Sequence, residues 1–144
     1  MTAVINLLKR AWRAKPGASN EELRALQDGL SIELPASYLA LLAQTNGGEG
    51  PLAVQPYHFA LDEAAYVLGT AQSDRLEEFF PGFLVFGSNG GTAYIALDRR
   101  GVPPWPVVAI DMTNIDLQES VLAVAPSFDE FLELVGIESS ELAD

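Results

Sequence analysis

His58 is the only histidine in a chain of 144 residues that contains no cysteine. A serine–histidine–aspartate relay would have to run through it, and no Gly-x-Ser-x-Gly turn is there to present a nucleophile. Between Tyr57 and Phe59, this histidine reads as a half-exposed strand residue. The same counts exclude a histidine-rich or thiolate metal site. Paired carboxylates could serve glycoside hydrolysis, and Asp98, Asp111 and Asp116 are the nearest candidates. All three flank predicted strand ends, where aspartate commonly shapes turns. The stretch DMTNID, 111–116, gathers several oxygens but lacks the EF-hand spacing. No catalytic residue, metal ligand or cofactor is therefore assigned, and the chain is not expected to be an enzyme.

The stretch FGSNGGTAYIALDRRG, 86–101, poses a second chemical question. A glycine-rich loop after a strand can cradle phosphate if a helix follows and supplies aligned N–H groups. Here TAYIAL follows, with Ala93, Ile95 and Leu97 alternating against Thr92, Tyr94 and Ala96, which is a strand pattern. The loop also lacks a lysine. Asn89, Gly90 and Gly91 are therefore expected to turn a hairpin, with positive φ at Gly90 or Gly91.

Charge narrows the partners. Eight basic residues face twenty acidic ones, a net charge of −12. Residues 1–30 carry five basic and three acidic side chains, whereas residues 31–144 carry three and seventeen. Such a surface repels phosphate backbones and anionic bilayers, so neither nucleic acid nor membrane is expected as a partner. A protein with a basic face would be attracted and steered. No apolar run approaches a membrane span. The N-terminus does not read as a signal peptide, because Lys9, Arg10 and Arg13 interrupt its apolar stretch. A cytoplasmic location is the expectation.

The positioning elements follow from periodicity. Val4, Leu8 and Trp12 predict a helix over 3–14, ended by Pro16 and Gly17. Ser19 and Glu22 form a capping box that opens a second helix, which stops near Gly29. Pro35 opens a third, uncharged through Thr45, with Tyr38, Leu41 and Leu42 on one face and an ending at Asn46 and Gly47. Short strands are expected near LAV (52–54) and YHFAL (57–61), and short helices at EAAYVLGT (63–70) and DRLEEFF (74–80). FLVF (83–86), TAYIAL (92–97) and PVVAIDM (106–112) give three strands, and Pro103, Pro104 and Pro106 delay the third. SFDEFLELVG (127–136) is the closing helix, capped by Ser127 and Glu130. The fold class is α+β: an antiparallel sheet with a central meander of at least three strands, flanked by N-terminal and C-terminal helices, in one domain over 1–144.

Three blocks, in this order, carry a resemblance. ELPASYLALLAQTNGG places Leu34, Pro35, Tyr38, Leu41, Leu42, Asn46, Gly47 and Gly48. VFGSNGGTAYIALD places Gly87, Gly90, Gly91, Tyr94 and Asp98. SFDEFLELV closes the set. Together they resemble the SUKH superfamily, which includes the yeast Smi/Knr cell-wall-assembly regulators and many bacterial relatives. Where the second block usually has a tryptophan after Gly91, Tyr94 stands instead, and Trp105 comes later. Region 50–80 matches no block.

The resemblance implies a sheet flanked by helices, and binding rather than catalysis. It implies an immunity protein that neutralises a toxin, commonly a nuclease, or alternatively a regulatory or scaffold module with an endogenous protein partner. Acids on loops and strand ends, beside aromatic anchors, are the expected contacts: Glu49, Tyr57, Asp62, Glu63, Asp98, Trp105, Asp111 and Asp116. Self-association stays open.

Overall fold

Ser19 and Glu22 close on each other as a capping box requires. The Ser19 N–H donates to Glu22 Oε1 at 3.0 Å, and the Glu22 N–H donates to Ser19 Oγ at 3.1 Å. They start helix α1, Asn20–Leu30, in a computed structural model that describes residues 10–30, 32–71, 82–111 and 121–138. Pro35, with extended backbone, leads into α2, Ala36–Gln44, which buries Ser37, Tyr38, Leu41 and Leu42. Helix α3 is Ala64–Ala71, and α4 is Phe128–Leu132. Ser127 Oγ accepts from the Glu130 N–H at 3.2 Å to cap α4.

The strands are β1 (Glu49–Pro51), β2 (His58–Leu61), β3 (Phe83–Ser88), β4 (Ala93–Asp98), β5 (Val107–Asp111) and β6 (Val121–Ala125). They form one sheet in the order β1 to β6, antiparallel throughout. The fold class expected from sequence is thus met. The meander extends from the three strands expected to six.

Three expectations need correction. Residues 10–14 are not helical: Arg13 bridges to Glu49, and the Arg13 N–H donates to Glu49 O at 2.8 Å. Lys15-Pro16-Gly17 follows closely, and pairing with the β1 edge satisfies this backbone better than one more turn of helix. Residues 3–9 lie outside the described residues, as does the helix expected at 74–80. LAV is not a strand, since Leu52 makes only an isolated bridge to Val135. The closing helix is also shorter than expected, stopping at Leu132 before a turn. Arg10 Nη1 reaches its freed carbonyls, donating to Leu132 O at 2.9 Å and Val135 O at 3.1 Å. A cation there meets the negative end of the helix.

The main core lies between the helices and one face of the sheet. Leu84, Phe86, Ile95, Leu97 and Val107 meet Tyr38, Leu41, Leu42, Phe128, Phe131 and Leu132 there. Phe86 is its hub, with ring centroids 5.6 Å from Tyr38, 5.8 Å from Phe59, 5.4 Å from Phe128 and 5.8 Å from Phe131. These separations suit tilted and edge-on aromatic contacts. The opposite face carries a second buried cluster, Phe83, Val85, Ala96, Val108 and Ile110. Burial on both faces explains why FLVF and VVAI are continuous apolar runs instead of alternating ones.

The hairpin between β3 and β4 resolves the glycine-rich stretch. Gly90 has φ +89°. Asn89 Oδ1 accepts from the N–H groups of Gly91, Thr92 and Ala93 at 3.1, 2.9 and 2.9 Å. The donors that a phosphate would need are turned inward onto that one amide. Asn89→Ala should leave three loop N–H groups to water and cost about 1–2 kcal/mol in chemical denaturation. A variant as stable as the parent would contradict this role.

Asp62 lies where β2 meets α3, half-buried, with its N–H donating to Phe86 O at 3.0 Å. Burial pushes its carboxyl up to about 6 from 3.8, and its charge, together with burial, raises the Tyr38 hydroxyl. The Tyr38 hydroxyl has no hydrogen-bond partner among the described residues. A carboxyl raised in the folded state binds its proton more tightly there than in the unfolded chain. Its stabilisation is full below its unfolded value and is lost as pH rises through about 6. Asp62→Asn should therefore exceed the parent in stability by about 1 kcal/mol at neutral pH, after discounting for solvent contact. The gap should close on acidification. Urea melts that show the same gap at both pH values would refute it.

Candidate functional site

The loop between β1 and β2 folds back on itself and onto the turn that follows α4. The Leu52 N–H donates to Tyr57 O at 3.0 Å, and the Tyr57 N–H donates to Val54 O at 2.8 Å. The Ala53 N–H donates to Leu134 O at 3.0 Å. Leu52 and Ala53 are buried, which anchors the loop, while Tyr57, at its junction with β2, is 54% exposed. Tyr57 has φ +70°, the one non-glycine residue with positive φ among the described residues. For a bulky side chain that conformation costs about 1–3 kcal/mol, and such strain persists where the surroundings enforce it.

Tyr57 stands between two recesses. One, of about 480 Å³, runs along Trp12, Arg13, Glu49, Pro51, His58 and Glu138. Glu49 Oε1 lies 3.8 Å from His58 Nε2, both side chains substantially exposed. The other recess, of about 610 Å³, lies at the Ala93–Asp111 end of the sheet, against β4, β5 and β6. Thr92, Ala93, Ala109, Asp111 and Leu122 form its floor and sides, with Gln55 and Pro56 opposite. Leu122 is 43% exposed. An exposed amphipathic ring on a hydrogen-bonded loop, with apolar floor and carboxylates around it, is the composition of a protein-contact patch. Among the described residues no cluster of histidine, aspartate and glutamate could hold a metal ion.

The expected contact residues divide. Glu49, Tyr57 and Asp111 come together across these two recesses. Glu63 is exposed and pairs with Lys15 at 3.6 Å. Asp98 is engaged by Arg100, which donates through Nε and Nη2 at 2.9 Å each; these bonds hold the carboxyl below the usual range. Trp105 belongs to a different groove, beside Pro35 and Phe128. Asp62 is half-buried, and Asp116 lies outside the described residues. His58 and Leu122 join the surface without having been expected there. Leu122 lies within the apolar run VLAVA, where nothing marks it as the exposed member, but His58 adjoined a named anchor.

The signature residues play a structural part. Asn46 Oδ1 accepts from the Ala64 N–H at 2.8 Å and so caps α3, while its amide donates to Glu22 Oε2 at 3.3 Å. Thr45, just before it, is fully buried. Its hydroxyl donates to Gly47 O at 2.7 Å and accepts from the Lys15 N–H at 3.0 Å. Gly47 and Gly48 carry φ +118° and +102°. Thus TNGG knots α1, α3 and the segment 12–15 together beneath β1. Asn46 ends no helix itself: α2 has already stopped at Gln44, with Thr45 extended.

A six-stranded antiparallel sheet with helices against one face and a partly acidic rim defines an α+β domain. The family model of the SMI1 / KNR4 family (SUKH-1) matches residues 17–134, and the chain belongs to that family. No curated protein matches it. Among the described residues no helix is long and apolar enough to cross a membrane.

Proposed function

We propose that the chain is a non-catalytic, cytoplasmic protein-binding module that neutralises a toxin of the nuclease type by covering a basic face of it. The reading rests above all on Tyr57, an exposed aromatic ring held in a left-handed backbone conformation between two recesses. Membership of the SUKH-1 family supports a binding role, and the net charge of −12 favours a cationic partner. The partner's ring-binding pocket takes Tyr57, and its lysines and arginines meet Glu49, Asp111 and Glu138. The test is to look for a nuclease-type toxin domain encoded beside this chain, and to assay it by calorimetry and nuclease inhibition. Stoichiometric binding with loss of nuclease activity is expected. A chain that binds a host protein and leaves the toxin active would favour the regulatory role instead.

A further inference from the structure

A second groove lies at the end of the sheet opposite Tyr57. Leu97 pairs with Val107 at that end, and Ala93 with Asp111 at the Tyr57 end. The groove, of about 500 Å³, is enclosed by the β4–β5 connection and the starts of α2 and α4. Leu34, Pro35, Pro103, Pro104, Trp105 and Phe128 make it apolar, and Glu33 and Asp129 stand in its wall; among the described residues no basic side chain lines it. Trp105 is fixed in place. Its indole N–H donates to Gly101 O at 3.0 Å, and the Arg99 guanidinium lies 5.3 Å from the ring centroid.

Three features of this groove call for one occupant. The flat surface of tryptophan and prolines suits an extended apolar segment. Helix α2 opens at Pro35 with no side-chain cap, so among the described residues the first-turn N–H groups of Ala36 and Ser37 have no capping acceptor. Ser37 is only 5% exposed, lines the groove, and has a hydroxyl without a hydrogen-bond partner among the described residues. These donors ask for an oxygen acceptor. A carboxylate or phosphate would meet Glu33 and Asp129, however, and be repelled. A main-chain carbonyl carries no such charge, and a neighbouring lysine or arginine is drawn to the same two acids.

We propose that this groove is a docking site, separate from the Tyr57 surface, for an extended segment of a protein partner that carries an apolar residue beside a lysine or arginine. Main-chain carbonyls of the segment accept from the start of α2. The apolar side chain lies against Trp105 and Phe128, and the cation reaches Glu33 and Asp129.

The test is an NMR titration of the full chain with the blocked peptide acetyl-Pro-Leu-Arg-Pro-amide. The Trp105 indole signal and the Ala36 and Ser37 amides should shift and saturate, while Tyr57 and His58 stay still. Replacing arginine by glutamate in the peptide should weaken binding about tenfold or more, and so should the Glu33→Gln, Asp129→Asn pair at unchanged melting temperature. Equal binding of the arginine and glutamate peptides would overturn the proposal, as would shifts confined to the Tyr57 end or no shift at millimolar peptide. Shifts of the same signals on concentrating the protein alone would assign the groove to a second copy, and also overturn it. Because the probe is a peptide and not the toxin, failure here leaves the Tyr57 reading standing, and the reverse holds too.

Discussion

Gly48→Val should leave little folded protein. A Cβ built at Gly48 would stand 2.4 Å from the carbonyl oxygen of Arg13 and 2.9 Å from Trp12 Nε1. Backbone and a packed indole cannot both withdraw, since the Arg13 strand is bonded to Glu49 and Trp12 packs on Phe59 with centroids 5.7 Å apart. The φ of +102° adds strain for any side chain, and most of all for a β-branched one. A loss of about 4 kcal/mol or more is expected, a large share of the stability of a domain this size. Circular dichroism melts would show it as a collapsed midpoint or an insoluble product. Gly91→Ala is the matched control. Gly91 also belongs to the glycine-rich signature, yet nothing lies within 4 Å of its notional Cβ and its φ is not positive. That variant should melt within a few degrees of the parent. A parent-like Gly48→Val would show that the TNGG knot does not bind segment 12–15 to the sheet.

Tyr57→Gly should move stability and binding in opposite directions. Glycine adopts positive φ without a Cβ penalty, so replacing the tyrosine relieves strain where the loop enters β2. The side chain is mostly solvent-exposed, so little core packing is lost with it. The fold should gain about 1 kcal/mol. Partner binding should weaken about 30-fold or more, as truncation of a central aromatic anchor does. A merely structural tyrosine would lose both together or neither. Urea denaturation and calorimetry on the same preparation separate these outcomes.

Much of the frame was legible in the sequence, and for identifiable reasons. Pro35, the capping boxes at Ser19 and Ser127, and the change of period at Phe83 are local signals, and local physics decided those elements. The failures were tertiary. VLAVA at β6 carries no alternation of apolar and polar residues, and its strand state depends on pairing with β5. Trp12 kept a helical spacing with Leu8, yet the backbone next to it, at Arg13, was claimed by the β1 edge. The site was legible only in pieces. Glu49, Tyr57 and Asp111 were named for being acids or aromatics near turns, but nothing in the sequence says that β1, the β2 loop and β5 share one rim. Asp98 had the right chemistry but an arginine two residues away, and the bidentate bond uses its carboxylate. The strain at Tyr57, the strongest pointer on the surface, comes from a loop held at both ends by long-range contacts.

The central claim is that Tyr57 and its flanking acids capture a basic protein face. Stopped-flow association with the toxin domain over a salt series tests it most directly, comparing the parent chain with a Glu49→Gln, Asp111→Asn, Glu138→Gln variant. The account predicts an association rate that falls steeply with added salt in the parent and a flatter slope with a lower low-salt rate in the variant, because steering charges act through the screened field. Association that ignores salt and is unchanged in the variant would contradict it, leaving the acidic surface a means of staying soluble.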